Sequence, residues 1–338
     1  MAVNCFLKMS SIAVAYAGLA VTLNSCTKEE EGNLTVISSP VSEITYHSAV
    51  SGVEWQGSID NLVDGGICYS KKSNPTCNDS VSAFDINRIE TASDLWFGQL
   101  TPNTTYHARA YLIKFTGSSI LTYYGAEVEF TTLVFDKTIQ FNPDLSYGSL
   151  ADIEGNAYKT IEIGTQVWMA ENLRTTKLND GTSIPKVTFS GAWSDPRTPG
   201  YNWCDKDSDN YSATYGATYN WYTVNTGKLC PAGWHVPSDD EWETLCAFLG
   251  GPDQAAHKLK ETGISHWDAP NEDAANASGF TALPGGYQGM FCGWWSTTRM
   301  NPYDPSLVWI YYISNDAPNL NRSEAFGMNG MNVRCMKD

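Results

Sequence analysis

The stretch LCPAGWHVPSDDEWETL, residues 229–245, sets a cysteine, a histidine and three consecutive acids close together. It reads either as a metal or catalytic site or as the start of a helix, and the spacing predicts the helix. Ser238 is an N-cap, and Glu241, three residues on, completes an S-x-x-E capping box. Asp239 and Asp240 fall in the first turn, where negative charge meets the positive end of the helix dipole. Trp242, Leu245, Cys246 and Leu249 mark one apolar face. Gly250-Gly251 then ends the helix before Pro252. His235 has no second ligand at metal spacing. A structural role is expected for it, and no catalytic residue is assigned.

Upstream, YKTIEI (158–163) alternates as a strand, Gly164-Thr165 turns, and QVWM (166–169) pairs back. YGATYNWYTVNTG (215–227) reads as a short helix, with Ala217, Trp221 and Val224 on one face and Gly227 as the stop. Ten of the twelve tryptophans lie from Trp168 onward. A compact, loop-rich domain follows, built on large side chains whose indole N–H groups need partners. Seven cysteines lie beyond Cys26: Cys68, Cys77, Cys204, Cys230, Cys246, Cys292 and Cys335. The odd count leaves at least one outside any internal pair. Cys335 is the natural partner of Cys230, since that bond closes a long loop, worth over about 4 kcal/mol in the chain-entropy model. Cys68 and Cys77 flank the turn-rich YSKKSNPT and are candidates to staple a hairpin. The sequence leaves the connectivity open.

A family resemblance rests on long, ordered motifs: DIEGNAYKTIEIGTQVWMAENLRTTKLNDGT (152–182), YGATYNWYTVNTGKLCPAGWHVPSDDEW (215–242), LKETGISHW (259–267), SGFTALPGG (278–286) and VRC (333–335). Over about 150–338 the chain resembles the Fibrobacter succinogenes major paralogous domain. That family in turn resembles the C-type lectin-like fold and the relatives of the formylglycine-generating enzyme. The resemblance implies an α+β, C-type lectin-like domain over 147–338. It would hold two short helices, a small twisted antiparallel sheet, a long loop region and neighbouring termini. STTRMNPYDPSL (296–307) departs from the usual serine-rich run, and Met331 stands where an aromatic is common. Binding specificity is therefore not carried over.

Residues 33–135 show short β-rich runs between turn signals. In LTPNTTYHARAYLI (100–113), Tyr106, Ala108 and Ala110 share one face, and His107, Arg109 and Tyr111 the other. Regular strand spacing predicts an all-β sandwich. LTPNTTY resembles the tyrosine corner of fibronectin type III domains, with Tyr106 expected to bond backbone a few residues upstream. GICYSKKSNPT and EVEFTT extend that resemblance. Residues 136–146 read as a linker. The expected fold class is multi-domain: a fibronectin type III-like sandwich followed by the α+β lectin-like domain. His47 and His107 read as half-exposed strand histidines.

Residues 1–25 read as a signal peptide. Their apolar run, IAVAYAGLAVTL, is too short to span a membrane. LNSC (23–26) resembles a bacterial lipobox, which would place lipid on Cys26. Residues 26–32 form a tether, and TKEEEGNLT resembles the surface-export signal of Bacteroidetes lipoproteins. The implied location is the outer membrane, lipid-anchored and exposed at the cell surface, with each buried CH₂ contributing about 0.8 kcal/mol. Asp79-Ser80-Val81 fits a short O-glycosylation signal at Ser80. A net charge of −16 with scattered bases argues against nucleic acid as a partner.

No G-x-S-x-G elbow, P-loop, H-E-x-x-H or dinucleotide fingerprint is present, and no cofactor is expected. DKDSDN (205–210) puts Asp205, Asp207 and Asp209 at positions 1, 3 and 5 of a calcium loop. Position 12 is Gly216 instead of a glutamate, so calcium is a candidate and an ordinary acidic loop the plainer reading. The lectin calcium tripeptides Glu-Pro-Asn and Trp-Asn-Asp are absent. The last segment holds the candidate ligand-binding residues: Trp294, Trp295, Asn301, Tyr303, Trp309, Tyr311, Asn319 and Asn321. Aromatic bodies with polar tips, together with amides, suit glycans or protein surfaces. Trp294 or Trp295 is expected in the core, and Tyr303 and Asn319 at the surface. In VWIYYI (308–313) neither face is marked as the inner one. The function expected is a lipid-anchored surface protein that binds an extracellular glycan or protein. The alternatives are an enzyme related to formylglycine-generating oxidases and a structural or adhesive component.

Overall fold

Strands dominate the chain, joined by a few short helices. The computed structural model describes residues 34–187, 197–203, 208–271, 273–285, 289–301 and 304–338. It divides into two compact units between Val134 and Phe135.

The first unit holds β1 (Thr35–Ser38), β2 (Ala49–Ser51), β3 (Val53–Gln56), β4 (Leu62–Ser70), β5 (Ser80–Ala83), β6 (Leu95–Phe97), β7 (Thr105–Phe115), β8 (Ile120–Tyr124) and β9 (Val128–Thr131). One sheet runs β5-β4-β7-β8, with β9 also on β7, and two ribbons pair β1 with β3 and β2 with β6. Val36, Val53, Leu95 and Phe97 of the ribbons share one core with Ile67, Ala108, Ala110 and Leu112 of the sheet. The alternation of β7 holds where it was read: Tyr106, Ala108 and Ala110 are buried. Tyr111 is buried too, its hydroxyl donating to Asp64 Oδ2 at 3.3 Å. Tyr106 Oη accepts from the Thr101 N–H at 3.0 Å, the corner geometry expected of it. The second candidate staple is not formed, because Cys68 and Cys77 are both unbonded thiols. Cys68 Sγ on β4 faces the Pro75 and Arg109 carbonyls, while Cys77 Sγ meets the Tyr124 hydroxyl. Burial pushes the Cys68 thiol up to about 11, which makes it a poor nucleophile.

In the second unit a sheet of order β10-β11-β12-β19-β15 joins β10 (Gly148–Ala151), β11 (Ala157–Ile163), β12 (Gln166–Met169), β15 (Trp234–His235) and β19 (Met336–Lys337). The hairpin at Gly164 is the one read from YKTIEIGTQVWM. Trp168 of β12 pairs with Met336 of β19, so the beginning and end of the unit meet. The Cys230–Cys335 bond is present, with Cα atoms 5.9 Å apart. The segment read as a linker is bonded into this unit. The Gln140 N–H donates to Glu261 Oε1 at 2.6 Å, the Asp136 carbonyl faces His266 Nε2 at 2.7 Å, and Phe141 and Leu145 pack on the core.

Helix α3 (Asp239–Phe248) carries the full capping box at Ser238 and Glu241, and Trp242 and Leu245 are buried. Gly250 and Gly251 take positive φ, 97° and 96°, and end it. Pro252 then starts α4 (Pro252–Leu259), so the punctuation that stops one helix also opens the next. The helix expected at 217–224 is shorter than its pattern. Ala217–Tyr219 is strand β14, paired with β13 (Tyr201–Trp203), and only Trp221–Val224 (α2) is helical. The cause is Asn220, whose side chain accepts from the Thr223 N–H as an N-cap and fixes the start there.

The ribbon of β16 (Phe291–Asn301) and β17 (Asp304–Ser314), with β18 (Asn321–Phe326) at its edge, separates two cores. Trp295, Val308 and Ile310 enter one cluster, and Trp294, Tyr311 and Ile313 the other. Both faces of VWIYYI are thus covered, so alternation could mark neither one as outer. A polar network lies within this interior. Fully buried Arg334 donates to Asn172 Oδ1 (2.7 Å) and to the carbonyls of Met169 (3.1 Å), Phe280 (2.6 Å) and Thr281 (3.0 Å). Burial lowers its guanidinium to about 10. Asn172 also accepts from Trp294 Nε1 at 3.0 Å.

Candidate functional site

Registry on β17 and β18 decides which candidate residues share a surface. Trp309 lies opposite Glu324, and Tyr311 opposite Arg322, so these four project from one face. That face meets the N-terminus of α3. The Arg322 guanidinium lies 3.6 Å from the centroid of the Trp309 ring. Its Nε and Nη2 donate to Asp239 Oδ1 and Oδ2 at 2.8 and 2.5 Å. Tyr311 Oη donates to the same Oδ1 at 2.8 Å. Asp239 therefore does more than complement a helix dipole: it is 7 % exposed and anchors an arginine on an indole. Donation to Asp239 raises the Arg322 pKa, while burial and then donation to Asp239 push the Tyr311 phenol far above its ordinary range. Arg322 keeps 37 % of its side chain in solvent, and Phe326 at the end of the same row is 56 % exposed. An indole, a guanidinium, a carboxylate and a phenyl ring thus line one strand edge. Such a surface can stack and hydrogen-bond a ligand.

The other candidates fall as follows. Trp294 and Trp295 are both 0 % exposed. The Trp295 Nε1–H is spent on the Tyr219 carbonyl at 2.6 Å, so neither indole faces a ligand. Tyr311 is core. Asn301 ends β16, exposed and opposite Asp304. Tyr303 lies outside the described residues. Asn319 is half-buried, and its amide donates to Asp253 Oδ1 at 2.6 Å, which corrects the expectation of an open surface position. Asn321, at an odd offset from Arg322, points to the opposite face from Trp309. Of the seven candidates among the described residues, only Trp309 joins the surface, and Arg322, Glu324 and Phe326 were not read from the sequence.

Of the calcium candidates, Asp205 and Asp207 lie outside the described residues, and Asp209 sits in α1 (Ser208–Tyr215). No group of three or more His, Cys, Asp or Glu side chains among the described residues is placed to hold a metal ion. Ser80 opens the edge strand β5 and is exposed. His235 is a clamp: Nε2 faces Glu241 Oε1 at 2.9 Å and Nδ1 faces Asp338 Oδ1 at 2.7 Å. Burial works against its charged form, but the hydrogen bonds of Asp338 and Glu241 outweigh it and raise the pKa.

The motif residues are now placed: Asn172, Cys230, the capping box, Arg334 and Cys335 build the frame of the second unit, with Trp294 bonded to Asn172. A profile of the Fibrobacter succinogenes major domain matches residues 161–337. The chain belongs to this family. No curated protein matches the chain. Among solved structures, the sensor domain of the anti-sigma factor RsgI4 from Pseudobacteroides cellulosolvens is similar at 22 % identity. That match covers 30 % of this chain and 95 % of that one, with a TM-score of 0.22. The solution structure of the same domain gives 20 % identity, coverages of 31 % and 78 %, and a TM-score of 0.23. A computationally redesigned β-sandwich protein gives 22 %, 28 %, 90 % and 0.20 for the same four quantities. At these TM-scores the likenesses carry no argument about this chain.

Proposed function

We propose that the chain is a lipid-anchored, surface-displayed binding protein whose second unit takes an extracellular glycan or protein ligand at the β17–β18 edge. The observation that carries this reading is the Trp309–Arg322 stack. A guanidinium held on an indole by a buried carboxylate is pre-organised, so little entropy is lost when a ligand uses its open side. The reading gives the second unit a C-type lectin-like architecture, in keeping with β12 pairing to β19 and with the disulfide that ties residue 335 to residue 230. It gives the first unit a fibronectin type III-like architecture, supported by the Tyr106–Thr101 corner. Binding is preferred over catalysis because Cys230 and Cys335, two of the thiols an oxidase relative would draw on, are joined to each other.

Two measurements test this. Cys26→Ala should abolish partitioning into the detergent phase, and unchanged partitioning removes the anchor. A glycan array with a soluble 33–338 fragment should give hits that Trp309→Ala weakens by about 1 kcal/mol or more. Hits that survive that substitution intact place the binding surface elsewhere.

A further inference from the structure

The first unit carries a groove of about 850 Å³ lined by residues of β4, β5 and β6 and the turns beside them. Its wall is built around the indole of Trp96, which is 36 % exposed. The indole lies directly on Gly98: an added Cβ there would stand 2.2 Å from Trp96 Cη2 and 2.4 Å from Cζ2. Only glycine lets the ring rest in this position. The next residue, Gln99, is exposed and takes φ of 60°, an uncommon conformation for a residue with a side chain. Strain of this kind concentrates where a ligand is clamped. Tyr69, Phe97 and Tyr106 supply the apolar floor, and Ser80 and Ser82 the polar rim.

Charge sets this groove apart. In a chain of net charge −16, two neighbouring lysines, Lys71 and Lys72, stand on its lining. Lys71 Nζ donates to Thr101 Oγ1 at 2.9 Å and lies 5.7 Å from the Tyr106 ring centroid. Neither lysine enters an ion pair among the described residues. The one carboxylate on the lining, Asp79, is turned to Thr76, whose N–H and hydroxyl donate to Oδ2 at 2.8 and 3.1 Å.

We infer that this groove binds an acidic oligosaccharide, with a sugar ring against Trp96 and its carboxylate toward Lys71 and Lys72. A flat, half-open indole beside hydroxyls and an amide suits the C–H face and hydroxyls of a pyranose. The lysines serve as point charges for the carboxylate. An extended peptide added to β5 fits less well. The Ser82 hydroxyl already donates to the Trp96 carbonyl at 2.6 Å and bridges that strand edge to β6. The inference does not rest on the proposed use of the second unit, and it gives the first unit a role besides spacing.

The test is calorimetric titration of the full chain in mild detergent, expressed without glycosylation. The probes are tetragalacturonate, a neutral tetrasaccharide and hexaglutamate. Tetragalacturonate should bind at least about 10-fold more tightly than the other two, and added salt should weaken it as screening predicts. Trp96→Ala should cut its affinity about 10-fold or more, with Trp96→Tyr restoring part. Lys71→Gln/Lys72→Gln, a surface change that leaves the core intact, should reduce tetragalacturonate to the affinity of the neutral sugar. Trp309→Ala should leave this binding unchanged, which separates the groove from the β17–β18 edge. Equal affinity for the neutral sugar, equal affinity for hexaglutamate, or an unaltered affinity in the double lysine variant overturns the proposal.

Discussion

Replacing His266 by alanine tests the most demanding arrangement in the second unit. His266 and Glu261 are both 0 % exposed, with Nδ1 and Oε2 2.6 Å apart. The imidazole bridges to the Asp136 carbonyl, and Glu261 Oε1 holds the Gln140 N–H. His266→Ala leaves the carboxylate with one backbone donor in a site sealed from water. Removing one partner of a buried, hydrogen-bonded acid–histidine pair strands the other at about 3–5 kcal/mol, against about 1 kcal/mol for an ordinary hydrogen bond. The stranded carboxylate therefore dominates the loss. Against a total stability of about 5–15 kcal/mol, such a loss is large. With a urea m-value of about 2 kcal/mol/M, the midpoint should fall by about 2 M. Tryptophan fluorescence reports mainly this unit, which holds ten of the twelve indoles. Adding Glu261→Gln to His266→Ala should recover part of the loss, because no charge is then stranded. A midpoint shift below about 0.5 M, or a double variant no better than the single one, would refute the reasoning.

Three further outcomes concern the second unit. His235 gains its raised pKa from Asp338 and Glu241 in the folded chain, so its contribution is complete below its ordinary value of 6.5. That contribution is lost as pH rises through the raised folded value. The wild type should therefore lose more thermal stability than His235→Gln between about pH 6 and pH 9, and parallel curves would contradict this. Ser238→Ala removes the N-cap of α3 and should cost about 1 kcal/mol in urea unfolding, with no measurable loss counting against the cap. Changing Cys230 and Cys335 together to serine opens a loop with a sequence separation of 105. The loss should approach about 4–5 kcal/mol, and one below about 1 kcal/mol would show that the bond adds little.

Local rules made α3 legible. Its cap, its acidic first turn and its glycine stop all act within a few residues, and the structure keeps each of them. The β11–β12 hairpin and the inward face of β7 were legible for the same reason. The helix expected at Ala217 failed because its apolar spacing also suits a short strand entering a capped turn, and Asn220 decides between them. VWIYYI could not be oriented, since alternation carries information only when one face is wet. That residues 136–146, read as a linker, are bonded into the second unit was invisible for a different reason: their partners, Glu261 and His266, lie more than a hundred residues away.

The same distinction governs the candidate site. Motif residues were legible as a family pattern, yet Asn172 and Arg334 point into the interior, where each must satisfy several groups at once. Arg334 alone answers three carbonyls and the Asn172 amide oxygen. Changing one of them strands the others, at about 1–3 kcal/mol for each buried polar group left unmade. A sequence pattern under that constraint describes the scaffold. The Trp309–Arg322 surface is held by one carboxylate, Asp239. Arg322 sits thirteen residues after Trp309 and 83 after Asp239, so no short motif joins them. Strand register brings them together, which is why the scaffold could be read from the sequence and the surface could not.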